Sequence, residues 1–384
     1  IYDFKGAIET CHRLLKQGGT LLITVPGISH IAQDEWGKYW LWSFTDASMQ
    51  RIMGEHFAED KISIKTYGNV LVASAFLYGI IDFLRPKETK ALVLMYHRVC
   101  DIETDPWQLA VSPNNFESQI KALKKNFNVL PLSDLVEQLT VGKIEPNNVY
   151  LTFDDAYRDN YLNARPVLEK YNCPATFFIP THFIGKQQLF WWDELESIFL
   201  HTQNLPASLT FSIGEDIYTF QIESEPLTEE VRLKQQAWIW PATPPTYRCK
   251  LYLKIWELLR PLPHTKIVEV IDSIRQWGNY SPSQSSENYA MNNDELEVLA
   301  NNKLFSLGIH TMTHPALASH SKAIQSAEIA GSKDYLNDLG YPQINAIAYP
   351  YGNYNDDTRS IVLQNNIPIG FTTSQEVVTR NSSP

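Results

Sequence analysis

The sequence has few cysteines and no excess of positive charge. Its four cysteines, Cys11, Cys100, Cys173 and Cys249, are far apart, and no two of them form a CxxC pair. This spacing argues against a disulfide framework and a cysteine zinc knuckle, and it suits a reducing, cytoplasmic compartment. The formal net charge is -11 at pH 7, so the chain offers no basic surface for nucleic acid or anionic lipid.

A membrane-spanning run is also missing. The most apolar stretch, residues 70–84, carries small and polar interruptions and is short for a bilayer, so we expect a buried helix there.

The sequence does have enough apolar residues for a sizeable core, since 44% of its 384 residues are hydrophobic and 20% are charged. That length predicts roughly two or three domains. No feature of the sequence indicates an oligomeric state.

Residues 1–86 are predicted to form one α/β unit. The expected elements are a helix over 7–15, a buried strand over 20–25 and a helix near 45–56. The chain opens at Ile1 without a methionine and within a helical pattern, so we expect that the natural N-terminus lies upstream.

Beyond a polar, proline-containing junction at residues 85–88, strands and helices alternate. The predicted strands cover 91–96, 149–153, 175–179, 304–309 and 344–349, and the helices between them include 113–125, 132–139 and 323–339. This alternation predicts a parallel sheet or barrel over residues 87–384. Residues 186–292 interrupt it with an expected hairpin over 209–222 and helices over 229–238 and 252–259, so we predict an inserted subdomain there.

Two motifs place metal-binding residue types after predicted strands. VYLTFDDAYRDN (149–160) ends in the adjacent carboxylates Asp154 and Asp155, which a cation would keep ionised, although a solvated turn explains them equally well. GIHTMTHP (308–315) places His310 and His314 four residues apart, a spacing that lets two imidazoles reach one metal. Such a pair also arises by chance among ten histidines. Two histidines and one carboxylate would make a catalytic metal site with open positions.

A third motif, AIAYPYGNYN (346–355), ends another strand in Pro350-Tyr351-Gly352. Its backbone N–H groups could face a ligand, and a purely structural turn is the alternative. A fourth strand ends in His97. All these residues follow the carboxyl ends of strands, which is the rim where parallel barrels build their active sites.

Together the motifs resemble those of a known family. Thr152-Phe153-Asp154-Asp155, the His310–His314 pair and Tyr349-Pro350-Tyr351-Gly352 are similar, in this order, to the motifs of polysaccharide deacetylases (carbohydrate esterase family four, NodB-like fold). The resemblance covers most of residues 90–380. It implies a distorted parallel (β/α) barrel of NodB type, a divalent metal that is usually Zn2+, and an N-acetylated glycan as substrate. The implied roles are general base for Asp154, metal ligands for Asp155, His310 and His314, and oxyanion donor for the backbone N–H of Tyr351.

The sequence departs from the family pattern at three places. Most members have glycine where this chain has Ala156, and a positive φ there would cost about 1 kcal/mol of strain. Many members have an arginine before the third motif's proline, where Ala348 and Tyr349 stand here. The late histidine that acts as general acid is absent before Pro384. A permuted branch of the family places this histidine early, and His97 in LMYHRV fits that position, the alternative being a histidine that bonds nearby backbone.

The first unit resembles a different family. LLKQGGTLLITVPG (14–27) is similar to the later part of class I S-adenosylmethionine-dependent methyltransferases. We interpret residues 1–86 as the C-terminal remnant of such a doubly wound α/β domain, fused to the deacetylase. That family's cofactor turn would precede Ile1, so no methyltransferase activity follows.

The resulting prediction is a hydrolase that removes N-acetyl groups from a hexosamine-containing glycan. Two alternatives use the same barrel: an amidase for a non-sugar amide, and a non-catalytic glycan-binding module. In FWWDELE (190–196), Asp193 is predicted to cap a helix N-terminus. Trp191 and Trp192 are candidates for stacking on sugars or for core packing.

Overall fold

The computed structural model describes residues 4–16, 21, 23, 46–64, 90–222, 225–281, 288–341, 344–379 and 382. The chain divides into two compact units, one of residues 1–88 with 375–377 and one of residues 89–374 with 378–384. Three sequence predictions lie wholly or largely outside the described residues: the strand over 20–25, the apolar helix over 70–84 and the junction at 85–88.

The described part of the first unit contains two helices, α1 (Phe4–Leu14) and α2 (Asp46–Gly54). Phe4 and Ile8 are one helical turn apart on α1, and both are buried together with Met49 of α2. Both predicted helices are therefore confirmed. The assignment of this unit to a methyltransferase remains a prediction.

The second unit is built around one sheet. In chain order the strands described are β1 (Lys90–Tyr96), β2 (Arg98–Val99), β3 (Ala110–Val111), β4 (Asn128–Val129), β5 (Asn148–Phe153), β6 (Ala175–Ile179), β7 (Ser208–Ile213), β8 (Asp216–Gln221), β9 (Phe305–Ile309), β10 (Ala346–Ala348), β11 (Ile369–Phe371) and β12 (Val378–Thr379). Among the described residues the sheet runs β11-β10-β9-β6-β5-β1-β12, and β4 also pairs with β5. Every pairing in it is parallel except that of β12 with β1. This confirms the predicted distorted parallel (β/α) barrel of NodB type.

Helices surround the sheet. They are α3 (Pro113–Asn126), α4 (Leu132–Thr140), α5 (Arg165–Lys170), α6 (Trp191–Glu196), α7 (Glu229–Gln236), α8 (Tyr247–Leu259), α9 (His264–Trp277), α10 (Asn293–Ala300), α11 (Lys322–Asp338) and α12 (Asp356–Gln364). The structure places the start of α8 five residues before the predicted one, because the Thr246 hydroxyl accepts a hydrogen bond from the Cys249 N–H and caps the helix there. Within the described part of the chain, no helix has the length and apolar character needed to cross a bilayer.

The register of the sheet brings the motifs to one edge. All six residues of β5 are buried, as expected for a central parallel strand with both faces covered. Tyr96 of β1 lies opposite Phe153 of β5, so His97 and Asp154 follow at the same level. Ile309 of β9 pairs with Ile179 of β6 and with Ile347 of β10, which puts His310 at that edge as well.

The predicted insertion is the stretch between β6 and β9, two strands that pair directly. The expected hairpin is confirmed as β7 and β8, joined through Gly214 with φ 63°. The buried guanidinium of Arg248 holds this region together by donating to the carbonyls of Phe199, Thr202 and Gln203.

Candidate active site

Asp155, His310 and His314 lie together at the carboxyl edge of the sheet, and all three are buried. Oδ1 of Asp155 is 3.5 Å from Nε2 of His310 and 3.3 Å from Nε2 of His314. In a tetrahedral metal site whose metal–ligand bonds are 2.0–2.1 Å long, the ligand atoms lie about 3.3 Å from one another. The separations between these ligand atoms therefore fit a single first-row metal ion.

The strand β10 orients one of these imidazoles. Nδ1 of His310 lies 2.7 Å from the carbonyl oxygen of Ala348. A carbonyl can only accept, so Nδ1 carries a proton, and Nε2 is the ring nitrogen that would be free to coordinate a metal. A backbone carbonyl in this position is the usual outer partner of a metal-binding histidine.

The burial and charge of Asp155 and His314 are also consistent with a bound cation. Oδ1 of Asp155 is buried and has no hydrogen-bond partner among the described residues, which is costly for a carboxylate. Burial alone would raise the pKa of Asp155, but His314 and His310 hold it below its ordinary value. Burial lowers the pKa of His314 to about 3, which keeps that imidazole neutral, as a metal ligand must be.

The pKa of the neighbouring carboxyl group, that of Asp154, shifts in the opposite direction. Asp154 is also buried, its Oδ1 has no partner in the described chain, and burial raises its pKa above the ordinary value. Two adjacent carboxyl groups whose pKa values are pushed apart are suited to different tasks. The environment thus favours Asp155 as the ligand and Asp154 as a group that can take up a proton.

The loops that carry these residues have unusual backbone conformations. Asp155, Ala156, Thr311, His314 and Tyr351 all have positive φ, between 52° and 69°. Each such residue costs on the order of 1–3 kcal/mol, and such outliers cluster at functional sites. The strain anticipated at Ala156, where the family pattern has glycine, is therefore present in the structure.

His97 lies at the same edge as Asp155, His310 and His314. The residue is partly buried just beyond β1, and it is close enough to Asp154 and Asp155 to interact electrostatically with both. The structure thus brings together all the residues predicted for the site. Their chemical roles remain predictions.

Sequence comparison agrees with this geometry. Residues 142–205 and 281–369 match the sequence model of the family described as polysaccharide deacetylase, and these segments include Asp154, Asp155, His310, His314 and Tyr351. These two segments are similar to the polysaccharide deacetylase family. The matched segments leave out residues 206–280 of the insertion and also His97.

The chain is also similar to individual proteins. The chain is 36% identical over 117 residues to a poly-beta-1,6-N-acetyl-D-glucosamine N-deacetylase of Staphylococcus aureus, which covers 27% of this chain and only 40% of that protein's length. It is 25% identical over 312 residues to the protein of the same name from Staphylococcus epidermidis, covering 77% of this chain and 76% of that one. A Streptococcus pyogenes deacetylase PplD, solved in complex with acetate, shares 21% identity with a TM-score of 0.42, covering 76% of this chain and 88% of that one.

Sequence reasoning missed a buried ion pair in the second unit. Nε of Arg98 donates to Oδ2 of Asp159 at 2.9 Å, and Oδ1 of Asp159 accepts from the N–H of Val99. Asn160 donates to the carbonyl of His97 at 2.8 Å. These bonds fix the backbone that directly follows the His97 side chain. The sequence feature that could have indicated this pair is Asp159, the third acidic residue of VYLTFDDAYRDN, which directly precedes Asn160.

A second missed contact involves His314. The His314 ring lies between two aromatic rings, 4.7 Å from that of Trp192 and 4.6 Å from that of Tyr351. Nε1 of Trp192 donates to the hydroxyl of Tyr157 at 2.8 Å. Trp192 is buried, so its role here is packing against His314.

The prediction that Asp193 caps a helix was wrong. The cap position of α6 is Phe190, which makes no side-chain bond, and Asp193 lies inside the helix. Its Oδ2 instead accepts a hydrogen bond of 2.7 Å from the Tyr157 hydroxyl. Burial raises the pKa of Asp193 to about 7. Asp193 thus orients Tyr157, and through it Trp192, against His314.

Proposed function

We propose that this protein is a metal-dependent hydrolase that removes N-acetyl groups from a hexosamine-containing polysaccharide or glycan precursor. The observation that carries the proposal is the cluster of three buried ligand atoms, from Asp155, His310 and His314, with the carboxyl of Asp154 beside it. The names of the curated staphylococcal relatives support an N-acetylglucosamine polymer as the substrate class.

Asp155, His310 and His314 would hold the divalent cation. Zn2+ is the best candidate, because two imidazoles and one carboxylate with open positions form a common catalytic zinc site. When bound, the cation supplies Lewis acidity, which makes water a nucleophile near neutral pH and polarises the amide carbonyl.

The remaining steps belong to the side chains and backbone of this chain. Asp154 takes a proton from the water that attacks the acetamide carbon, a task suited to a carboxyl with a raised pKa. The backbone N–H of Tyr351 donates to the carbonyl oxygen as negative charge develops there, a contribution of about 3 kcal/mol. His97 gives a proton to the nitrogen as the carbon–nitrogen bond breaks. The products are acetate and the free amine.

Two broader assignments belong to the same proposal. Residues 1–86 are interpreted as a methyltransferase-like segment, which would make the chain a fusion of two glycan-tailoring parts. A cytoplasmic location is inferred from the scattered cysteines.

Acetate release tests the proposed function. Protein reconstituted with Zn2+ is expected to release one acetate per new free amine from β-1,6-linked N-acetylglucosamine oligomers, because that set of ligands activates water for amide hydrolysis. Chelation should abolish the release, and added Zn2+ should restore it. The measurement is acetate and amine production over a panel of N-acetylated glycans and non-sugar amides.

Each outcome of that assay decides between the candidates. Metal-loaded protein that releases no acetate from any glycan would refute the proposal. Hydrolysis of the non-sugar amides alone would identify the amidase. A protein that takes up no stoichiometric metal would be the glycan-binding module.

His97→Gln tests the assignment of the general acid. We expect kcat for an N-acetylated sugar to fall by about 10²–10⁴, because an amine leaving group needs a proton. Hydrolysis of an activated aryl acetate should be nearly unaffected, since its leaving group departs without one. Bound metal, measured by elemental analysis, should be unchanged. Equal losses with both substrates would show that His97 does not act as the acid.

A further inference from the structure

The loop from His310 to His314, which we call the histidine loop, has a strained backbone. Thr311 and His314 have φ values of 64° and 59°. A positive φ is uncommon for any residue with a Cβ atom, and for a β-branched residue such as threonine it is an outlier. Such conformations persist only where the surrounding structure holds them. The loop therefore needs bonds from its neighbours to keep both Nε2 atoms beside Oδ1 of Asp155.

One side of the histidine loop is held by main-chain bonds. The N–H of Thr181 donates to the carbonyl of Thr311 at 3.2 Å, and the N–H of His182 donates to the carbonyl of Met312 at 3.0 Å. Both donors follow β6, the strand that pairs with β9 directly before the loop. Because only backbone groups take part, this side of the loop is a continuation of the sheet.

The other side of the loop is held by one side chain, that of Glu328 on α11. Its Oε2 accepts hydrogen bonds from the N–H groups of Met312 and Thr313, both at 2.8 Å. Its Oε1 accepts from the Thr313 hydroxyl at 2.6 Å. Hydrogen bonds to a carboxylate are stronger than those to a neutral acceptor. A single carboxylate thus binds three donors from the two residues that precede His314.

Helix α11 approaches the loop closely and is itself anchored. Gly331 lies one turn after Glu328 on the same face, and a Cβ atom there would be 2.4 Å from Sδ of Met312. The missing side chain leaves room for Met312 against the helix. One turn before Glu328, the buried Gln325 accepts a hydrogen bond from the Thr358 hydroxyl of α12. The carboxylate is therefore presented from a fixed helix.

We propose that Glu328 is a positioning residue of the metal centre, which keeps the histidine loop in the conformation that metal binding needs. The inference rests on the proposed function. Glu328 acts through Met312 and Thr313, and the loop in turn sets where His310 and His314 stand relative to Asp155. A loop that is already ordered does not have to be ordered by the metal, so the affinity for the metal is higher.

Zn2+ affinity tests the role of Glu328 without any substrate. We expect Glu328→Ala to weaken Zn2+ binding by about 10–100-fold, the usual effect of removing a group that supports metal ligands. Glu328→Gln keeps an acceptor oxygen for the two N–H groups and should bind Zn2+ much more tightly than the alanine variant. Glu328→Asp, whose side chain is one carbon shorter, should also bind weakly and replaces the alanine variant if that one does not fold. The measurement is titration of apoprotein in competition with a chelator of known affinity.

Two variants of the same helix separate positioning from general stability. Gln325→Ala removes a buried bond that does not involve the histidine loop, so it should lower the urea midpoint of the apoprotein but leave Zn2+ affinity unchanged. Asp334→Ala removes an exposed carboxylate of α11 and should change neither quantity. The visible absorption spectrum of bound Co2+, which reports ligand geometry, should change in Glu328→Ala and not in Gln325→Ala.

Each result decides for or against the inference. It would be overturned by wild-type Zn2+ affinity in Glu328→Ala, or in Glu328→Asp if alanine does not fold. Equal weakening by Gln325→Ala would reduce Glu328 to a stabilising residue, and equal weakening by Glu328→Gln would assign the effect to charge rather than to the bonds. Wild-type protein that binds Zn2+ but releases no acetate would refute the proposed function alone, since these affinities do not depend on turnover.

Discussion

Asp154→Asn is expected to lower kcat by about 10²–10⁴ while leaving the metal in place. The variant keeps the size and shape of the buried side chain but removes the group that accepts the proton of the attacking water. Asp154 is not one of the three clustered ligands, so their separations should not change. The measurements are acetate release at saturating substrate and metal content by elemental analysis.

Asp155→Asn is the matched control, because it makes the same chemical change one residue further along. Oδ1 of Asp155 lies 3.5 Å from Nε2 of His310 and 3.3 Å from Nε2 of His314, so the loss of the negative charge in this cluster should remove metal and turnover together. The assignment of roles would be wrong if Asp154→Asn kept most of its activity. It would also be wrong if both variants lost metal to the same extent.

Asp159→Ala is expected to lower the free energy of unfolding by about 3–5 kcal/mol. The side chain of Asp159 is 1% exposed, and its partner Arg98 is 7% exposed, so the substitution leaves a buried guanidinium without its carboxylate. It also removes the acceptor of the Val99 N–H. Urea denaturation of the metal-free and metal-loaded proteins measures the effect.

Two further variants make that result interpretable. Asp159→Asn keeps an acceptor for Val99 and should cost less than alanine, which keeps the test informative if the alanine variant does not fold. Glu269→Ala breaks the exposed pair with Lys266 and should change stability by no more than about 0.5 kcal/mol. Similar effects of Asp159→Ala and Glu269→Ala would show that the buried pair does not stabilise the fold.

The sheet and its reactive edge could be predicted from sequence because both depend on local patterns. β5 is an uninterrupted apolar run that ends in two carboxylates, and β9 is followed by two histidines four residues apart. In a parallel sheet the carboxyl ends of strands meet at one edge. Asp155, His310 and His314 could therefore be grouped from the sequence alone.

The supporting contacts could not be predicted in this way. Arg98 and Asp159 are 61 residues apart in sequence, and Tyr157 and Asp193 are 36 apart. No helical or strand period links such positions, so their pairing depends on how the elements pack. Asp193 shows the consequence, because a local pattern suggested a helix cap where the fold instead supplies the Tyr157 hydroxyl.

The direct pairing of β6 with β9 has an evolutionary consequence. The sheet continues across these strands as though the segment between them were a short connection, although that segment contains the β7–β8 hairpin and the helices α6 to α10. A change in the length or sequence of the segment therefore need not alter the register that brings His310 to Asp155. Related proteins could then diverge by exchanging this one segment, and chimaeras joined at Ile179 and Phe305 would measure how independent of it the rest of the sheet is.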